Sequence, residues 1–162
     1  MKKLLLTLCM ALMTMSASAR YFSEPSLQGE NAVGAHLLYG TEVPNFGFGV
    51  RYQRFIIDHV RVEGVFDYLI KNKELSMWDI NLNGHYVWNI GEHVRLYPLV
   101  GVCFASWKEH ITNDHDNRVG LNLGAGLQVA LGNNWWVGAE AKVQEMRHYS
   151  QGVFDVNISY CF

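Results

Sequence analysis

The sequence predicts an all-β fold, a single eight-stranded antiparallel up-and-down transmembrane β-barrel. Apolar residues alternate with polar or small residues over eight segments of about ten residues, which is the two-residue period of a β-strand. Aromatic residues make up 13% of the chain and charged residues only 17%, which is too little charge for a surface that faces water on all sides. Aromatic residues also recur near both ends of these segments, as they do at the two interfaces of a membrane.

The first nineteen residues predict a cleaved signal peptide. Lys2 and Lys3 form a basic start, residues 4–15 are apolar, and residues 17–19 (Ala-Ser-Ala) form a small-residue cleavage signature. Cleavage would leave 143 of the 162 residues, beginning at Arg20, which is enough for one domain. We expect residues 20–30 to be a lead-in and residues 31–162 to form the barrel.

Charge and cysteine content exclude several classes of protein. Without Lys2 and Lys3 the chain has eleven basic against fifteen acidic side chains, so it lacks the basic surface that binding of nucleic acid requires. After the leader there is no apolar run of 18 residues, so the sequence predicts no membrane-spanning helix. Cys103 and Cys161 are predicted at opposite rims of the barrel, too far apart to form a disulfide.

The eight predicted strands follow one another along the whole chain. They comprise residues 31–40, 45–55, 60–69, 77–88, 94–104, 118–131, 135–144 and 154–162. Pro98 has no N–H to donate, so we expect a local bulge there. Folding the second strand onto the third about Ile57 predicts that Arg51 lies opposite Glu63 and that Phe66 lies beside Phe48.

Alternation alone does not say which face of the barrel is apolar. A soluble carrier of a lipid would have the apolar face inside, and a membrane barrel would have it outside. The polar face is rich in Gly and Asn and poor in Lys, which suits a crowded interior better than a surface in water. The aromatic residues form two predicted girdles at the membrane interfaces, namely Tyr39, Phe46, Tyr68, Trp78 and Phe104 at one rim, and Tyr86, Trp88, Trp135, Tyr160 and Phe162 at the other.

The polar face of the predicted barrel carries equal numbers of positive and negative side chains. A selective pore would show an excess of one sign, whereas eight strands leave an interior that side chains can fill. We therefore expect a structural charge network that fills the lumen, made of Arg51, Arg61, Arg95, Arg118, Lys142, Glu63, Asp67, Asp79, Glu140 and Asp155.

The chain resembles a known family in its export signal, its eight strands and its aromatic C-terminus, Tyr160-Cys161-Phe162. These features are similar to the small outer-membrane β-barrels of the OmpA/OmpX type, and residues 31–89, 95–101 and 120–126 resemble the short "porin family" barrels of the Bacteroidetes. The resemblance covers almost all of the chain after the leader. It implies a Gram-negative outer membrane, chain ends and tight turns in the periplasm, longer loops outside, and recognition of Phe162 by the barrel-assembly machinery.

The histidines that could act as metal ligands fall into two groups. His36 and His85 face the predicted lumen, where a neutral His bonded to a neighbour is the ordinary case. His110 and His115 share a loop with acidic residues, but their spacing matches no rigid ligand pattern. The sequence therefore predicts no metal and no cofactor.

His148 and Ser150 resemble the catalytic pair of the eight-stranded outer-membrane lipid A deacylases. A hydrolase of that kind needs an imidazole within reach of the serine hydroxyl and an acid that orients it. Here Gln151 replaces the asparagine that follows the serine in that family, and no downstream acid matches.

We expect a non-enzymatic outer-membrane protein with a filled lumen that contributes to envelope structure or to surface interaction. The predicted loop from Trp107 to Asn117 is the longest and is the expected place for an extracellular partner. A minor channel for small polar solutes is the first alternative, and a lipid-modifying hydrolase that uses His148 and Ser150 is the second.

Overall fold

A computed structural model describes residues 27–41, 45–72, 75–109, 115–132, 134–146 and 149–162. The described residues form eight antiparallel strands, and the fourth is interrupted at Val87. The strands are β1 (Asn31–Gly40), β2 (Asn45–Ile57), β3 (Val60–Asn72), β4 (Leu75–Tyr86 and Trp88–Ile90), β5 (Val94–Glu109), β6 (His115–Gly132), β7 (Trp135–Met146) and β8 (Tyr149–Cys161). Within these ranges no helix is long and apolar enough to cross a membrane.

The sheet closes into a barrel, which confirms the predicted fold class. Each strand pairs with its neighbours in the sequence, and β1 also pairs with β8, from Ala32 opposite Cys161 to Gly40 opposite Val153. We call the end with the start of β1, the end of β8 and the tight turns after β2, β4 and β6 the terminal end. The other end, with the connections after β1, β3, β5 and β7, is called the hairpin end.

Several strands are longer at the hairpin end than the alternation predicts. Strands β5 and β6 remain paired as far as Lys108 opposite His115, so much of the predicted loop from Trp107 to Asn117 is strand. The loop prediction was wrong because alternation disappears where both faces of a strand leave the apolar layer. Only residues 110–114 of that loop lie outside the described residues.

Pro98 produces no bulge, and that prediction was wrong. The register of β4 against β5 is the same on both sides of the proline, with His85 opposite Leu99 and Trp88 opposite Leu96. On this register Tyr86 faces Pro98, which has no N–H to donate, and the pairing of β4 is interrupted at Val87 instead.

The predicted register between β2 and β3 was wrong by two residues. Gln53, not Arg51, lies opposite Glu63, and Phe48 lies opposite Tyr68. The strands turn at residues 58 and 59, and an irregularity between Phe55 and Ile57 shifts the register there. Because the side-chain period is two, a shift of two residues leaves every side chain on its predicted face.

Burial follows the predicted alternation, with polar side chains inside and apolar ones outside. Large apolar side chains on the outer face are widely exposed, for example Leu37 at 70% and Phe46 at 71%. Inside, two apolar clusters lie at different heights. Leu38, Leu69, Cys103, Ala105, Met146 and Val153 form the cluster at the hairpin end, and Phe55, Val87, Tyr97 and Leu99, with Leu27 packed against them, form the cluster at the terminal end.

Candidate functional site in the lumen

The lumen between the two apolar clusters contains a network of buried polar side chains. Every second residue of a strand points inward, so all eight strands direct side chains into one narrow space. A small residue is required where these side chains crowd against a strand. A Cβ added to Gly49 would collide with Asp67 and His36, so glycine there makes room for the contact between these two.

Arg51 forms three ion pairs, more than any other cation among the described side chains. Its Nη1 lies 3.3 Å from Glu63 Oε2 and 3.5 Å from Glu140 Oε2, and its Nη2 lies 2.9 Å from Asp155 Oδ1. All four side chains are almost fully buried. One cation on β2 is therefore shared by carboxylates from β3, β7 and β8.

Arg61 is also buried, but its hydrogen-bond partners are neutral side chains. Its Nε and Nη2 lie 3.1 and 2.9 Å from Nδ1 of His85, and its Nη1 donates to Gln128 Oε1 at 2.8 Å. The guanidinium lies over the rings of Tyr97, at 4.6 Å from the centroid, and Phe55, at 5.6 Å. Aromatic faces carry negative charge density, so they stabilise a guanidinium without an anion.

Side-chain amides donate hydrogen bonds to several of the buried carboxylates. Gln53 donates to Glu63 Oε2 at 2.6 Å, and Asn83 donates to its Oε1 at 3.1 Å. Asn81 donates to both Asp67 and Asp79, which lie opposite each other on β3 and β4. Lys142 Nζ lies 3.9 Å from Asp67 Oδ2. These amides matter because each buried carboxylate oxygen that lacks a donor lowers the stability of the fold by about 1–3 kcal/mol.

The ten predicted charges lie at different heights in the barrel. Arg95 pairs at the terminal end with Glu30, which precedes β1, and Arg118 is only half-buried. The centre contains Arg51, Arg61 and Lys142 together with five buried carboxylates, several of which also accept hydrogen bonds from amides. The equal count in the sequence came from adding charges that lie at different heights in the barrel.

Arginine fixes the hydrogen position on two buried histidines. Arg51 Nε donates to Nδ1 of His36 at 3.4 Å, as Arg61 does to His85. Guanidinium N–H groups only donate, so Nδ1 of each neutral imidazole accepts and Nε2 carries the hydrogen. His36 Nε2 accordingly lies 2.5 Å from Asp67 Oδ1, and His85 Nε2 lies 3.5 Å from Glu63 Oε1.

This hydrogen position decides the chemistry of a cluster with metal-like geometry. Glu63, His85 and Glu140 bring three possible ligand atoms within 4.8 Å of one another. A metal would need the lone pair of His85 Nε2, but that nitrogen carries hydrogen as long as Arg61 donates to Nδ1. With this hydrogen position, His85 Nε2 offers no lone pair to a metal ion.

Tyr97 contributes to the lumen in a way that the sequence reasoning missed. Its ring stacks on His85 with centroids 4.7 Å apart, and its hydroxyl donates to Glu140 Oε2 at 3.1 Å. The alternation of residues along β5 does predict that Tyr97 points inward. An aromatic residue among the buried charges is the signal that would have indicated this role.

The predicted girdle residues lie on the outer face near the two rims. At the hairpin end the rings of Tyr39 and Phe46 are 5.2 Å apart, and those of Trp78 and Phe104 are 5.9 Å apart. At the terminal end two pairs of rings are 5.4 and 5.1 Å apart, Tyr86 with Trp88 and Trp135 with Tyr160. Tyr68 is exposed to 38%, and its ring lies 5.8 Å from that of Phe48.

Residues outside the lumen give no assembled catalytic site among the described residues. Ser150 is exposed on β8 opposite Glu145, and His148 lies outside the described residues. His110 also lies outside them. Cys103 and Cys161 are free thiols at the hairpin end and the terminal end, respectively. Phe162 ends the chain, with its N–H donating to Asn31 O at 2.8 Å.

Solved structures of outer-membrane barrels are similar to this fold. The N-terminal β-barrel domain of Pseudomonas aeruginosa OprF aligns with a TM-score of 0.75 and 15% identity over 85% of this chain and 100% of that chain. Neisserial surface protein A aligns with a TM-score of 0.67 and 12% identity over 86% of this chain and 100% of that chain. Ail, the attachment invasion locus protein of Yersinia pestis, aligns with a TM-score of 0.61 and 20% identity over 83% of this chain and 99% of that chain. Identities this low show the fold alone.

The sequence itself matches a family. No curated protein sequence matches the chain. The pattern of the outer membrane protein beta-barrel domain matches residues 4–162, which is nearly the whole chain. The chain therefore belongs to the outer membrane protein beta-barrel domain family, and this membership indicates a location in the Gram-negative outer membrane.

Proposed function

We propose that this protein is a non-enzymatic outer-membrane barrel with a closed lumen, which contributes to envelope structure or surface interaction through its hairpin end. The observation that carries the proposal is the arrangement of the lumen in three layers. An apolar cluster lies at each end, and the network around Arg51 and Arg61 lies between them. A passage for solute would have to break ion pairs that stabilise buried charges.

The longest hairpin supports interaction at the hairpin end. Strand β5 has 16 residues, which at about 3.4 Å per residue is about 54 Å. With a tilt of about 45° it spans about 38 Å, more than the apolar band of about 25 Å. The paired strands β5 and β6 therefore project beyond the membrane, and we place this end outside the cell and the terminal end in the periplasm.

Partners follow from the same placement. Outer-membrane lipids would cover the exposed apolar face, with the girdle residues at the two interfaces. Phe162 would serve the barrel-assembly machinery as its recognition residue. Ail carries attachment and invasion in its name, but that role belongs to Ail. For the present chain, surface interaction rests on the projecting hairpin.

Planar-bilayer recordings of the refolded protein test the closed lumen. We expect no steady unitary conductance, because the side chains of the network fill the space between the strands. Addition of a porin to the same bilayer controls for detection, and a heat-dependent shift in gel mobility controls for folding. Reproducible unitary steps from the folded protein would overturn the proposal in favour of the minor channel.

A further inference from the structure

The mouth of the barrel at the terminal end contains a guanidinium held between aromatic rings. Arg95 is 6% exposed, and its guanidinium lies 3.8 Å from the ring centroid of Trp136 and 5.4 Å from that of Phe55. Stacking of this kind fixes the plane of the guanidinium and leaves its edges available for donation. Such a group is built to hold a planar anion.

The chain itself fills one edge of this guanidinium with a carboxylate. Arg95 Nη1 donates to Glu30 Oε1 at 3.1 Å, and its Nη2 donates to Oε2 at 3.5 Å. Glu30 lies in the lead-in segment, outside β1, and its side chain is 24% exposed against 7% for Arg95. The carboxylate is therefore the more accessible partner of the pair.

The other edge of the same guanidinium lacks a partner. Nε of Arg95 is buried and has no hydrogen-bond acceptor among the described residues. Arg95 also lines a groove of about 320 Å³ at this mouth, together with Trp135, Trp136 and Asn134 among others. A buried N–H without an acceptor carries a desolvation cost, which an incoming oxygen atom would remove. Nε and Nη2 together present the two parallel N–H groups that a carboxylate prefers.

We propose that Arg95 is the centre of a binding site for a carboxylate-bearing ligand, and that Glu30 restrains this site. The ligand carboxylate accepts from Nε–H and from the second N–H of Nη2, while Glu30 keeps the edge formed by Nη1 and Nη2. Two carboxylates on one guanidinium repel each other, so Glu30 lowers the affinity for the ligand. This site is separate from the proposed function, because the groove opens at the mouth and does not require a path through the lumen.

Acetate is the probe that tests the site. The mature chain, refolded in detergent micelles, is titrated with sodium acetate or with sodium chloride at equal ionic strength, and the Arg95 Nε–H resonance is followed by ¹⁵N NMR. We expect acetate, but not chloride, to shift this resonance. In Glu30→Gln the shift should reach its midpoint at an acetate concentration about tenfold lower, since the repelling charge is gone.

Glu92→Gln is the matched control. Glu92 is exposed in the turn after β4, at the same end of the barrel, so this variant removes the same charge without touching Arg95. If Glu92→Gln lowered the acetate midpoint as much as Glu30→Gln does, the effect would be a general electrostatic one, and the proposal would be overturned. An Arg95 resonance that acetate leaves unmoved in the wild-type protein would also overturn it, whatever the variants do.

Discussion

Arg51 and Arg61 show two ways of burying a cation in one lumen. They lie on neighbouring strands and both are nearly inaccessible to water. Arg51 is held by the carboxylates of Glu63, Glu140 and Asp155. Arg61 takes part in none of the ion pairs among the described side chains and is held by His85, Gln128 and two aromatic rings.

The difference teaches where the stability of the network is concentrated. A charge held by charges leaves uncompensated partners when it is removed, because each carboxylate stays buried without its cation. A charge held by neutral acceptors leaves only unpaired polar groups, which cost less. Arg51 should therefore be the more sensitive position although both side chains are equally buried.

Arg51→Leu should give the largest loss of stability. We expect the free energy of unfolding to fall by about 3–5 kcal/mol, since three carboxylates lose their shared cation. Urea-induced unfolding in lipid vesicles, followed by tryptophan fluorescence, measures this change. The comparison fails if Arg51→Leu costs no more than Arg61→Leu.

The double variant Arg51→Leu with Glu63→Leu is the control for stranded charge. It removes one of the three carboxylates together with the arginine, so it should cost less than Arg51→Leu alone. The double variant should recover only part of the lost stability, because Glu140 and Asp155 remain buried without the cation of Arg51. Equal costs for the single and double variants would contradict the ion pair between Arg51 and Glu63.

Arg61→Leu should give an intermediate loss of about 2 kcal/mol. The variant leaves Nδ1 of His85 and Oε1 of Gln128 without a donor, and each unsatisfied acceptor costs roughly 1–3 kcal/mol before the neighbours relax. The leucine keeps apolar contact with Phe55 and Tyr97. The same urea titration measures the change.

Gln128→Leu in the Arg61→Leu background separates the two acceptors. Since this second change removes an orphaned amide, it should recover part of the loss. A further loss of stability on adding Gln128→Leu would show that Gln128 is held by something other than Arg61.

The sequence predicted the faces of the strands better than their partners. Arg51 and Glu63 were assigned to the lumen correctly even though their register was wrong by two residues, because the side-chain period is two. The contacts of Arg51 with Glu140 and Asp155 were beyond sequence reasoning. They depend on how the closed sheet staggers its strands and so brings β7 and β8 towards β2.

Strand ends and the mouth of the barrel were predicted least well, for physical reasons. Outside the apolar layer a strand has no reason to alternate, so β5 and β6 continue unnoticed past the predicted loop boundary. Glu30 carries no periodic signal because it precedes the first strand. Its pairing with Arg95 could be seen only once the closed barrel placed both at one mouth.

Tyr97→Phe should give the smallest effect and sharpen the comparison between the arginines. The ring still lies beneath Arg61 and against His85, and only the hydroxyl that donates to Glu140 at 3.1 Å is lost. Glu140 keeps Arg51 as a donor, so we expect a loss of about 1 kcal/mol by urea unfolding. Tyr97→Leu, which also removes the aromatic face, should cost more. If the two variants cost the same, the Tyr97 ring does not stabilise Arg61, and that buried cation is held by His85, Gln128 and the ring of Phe55.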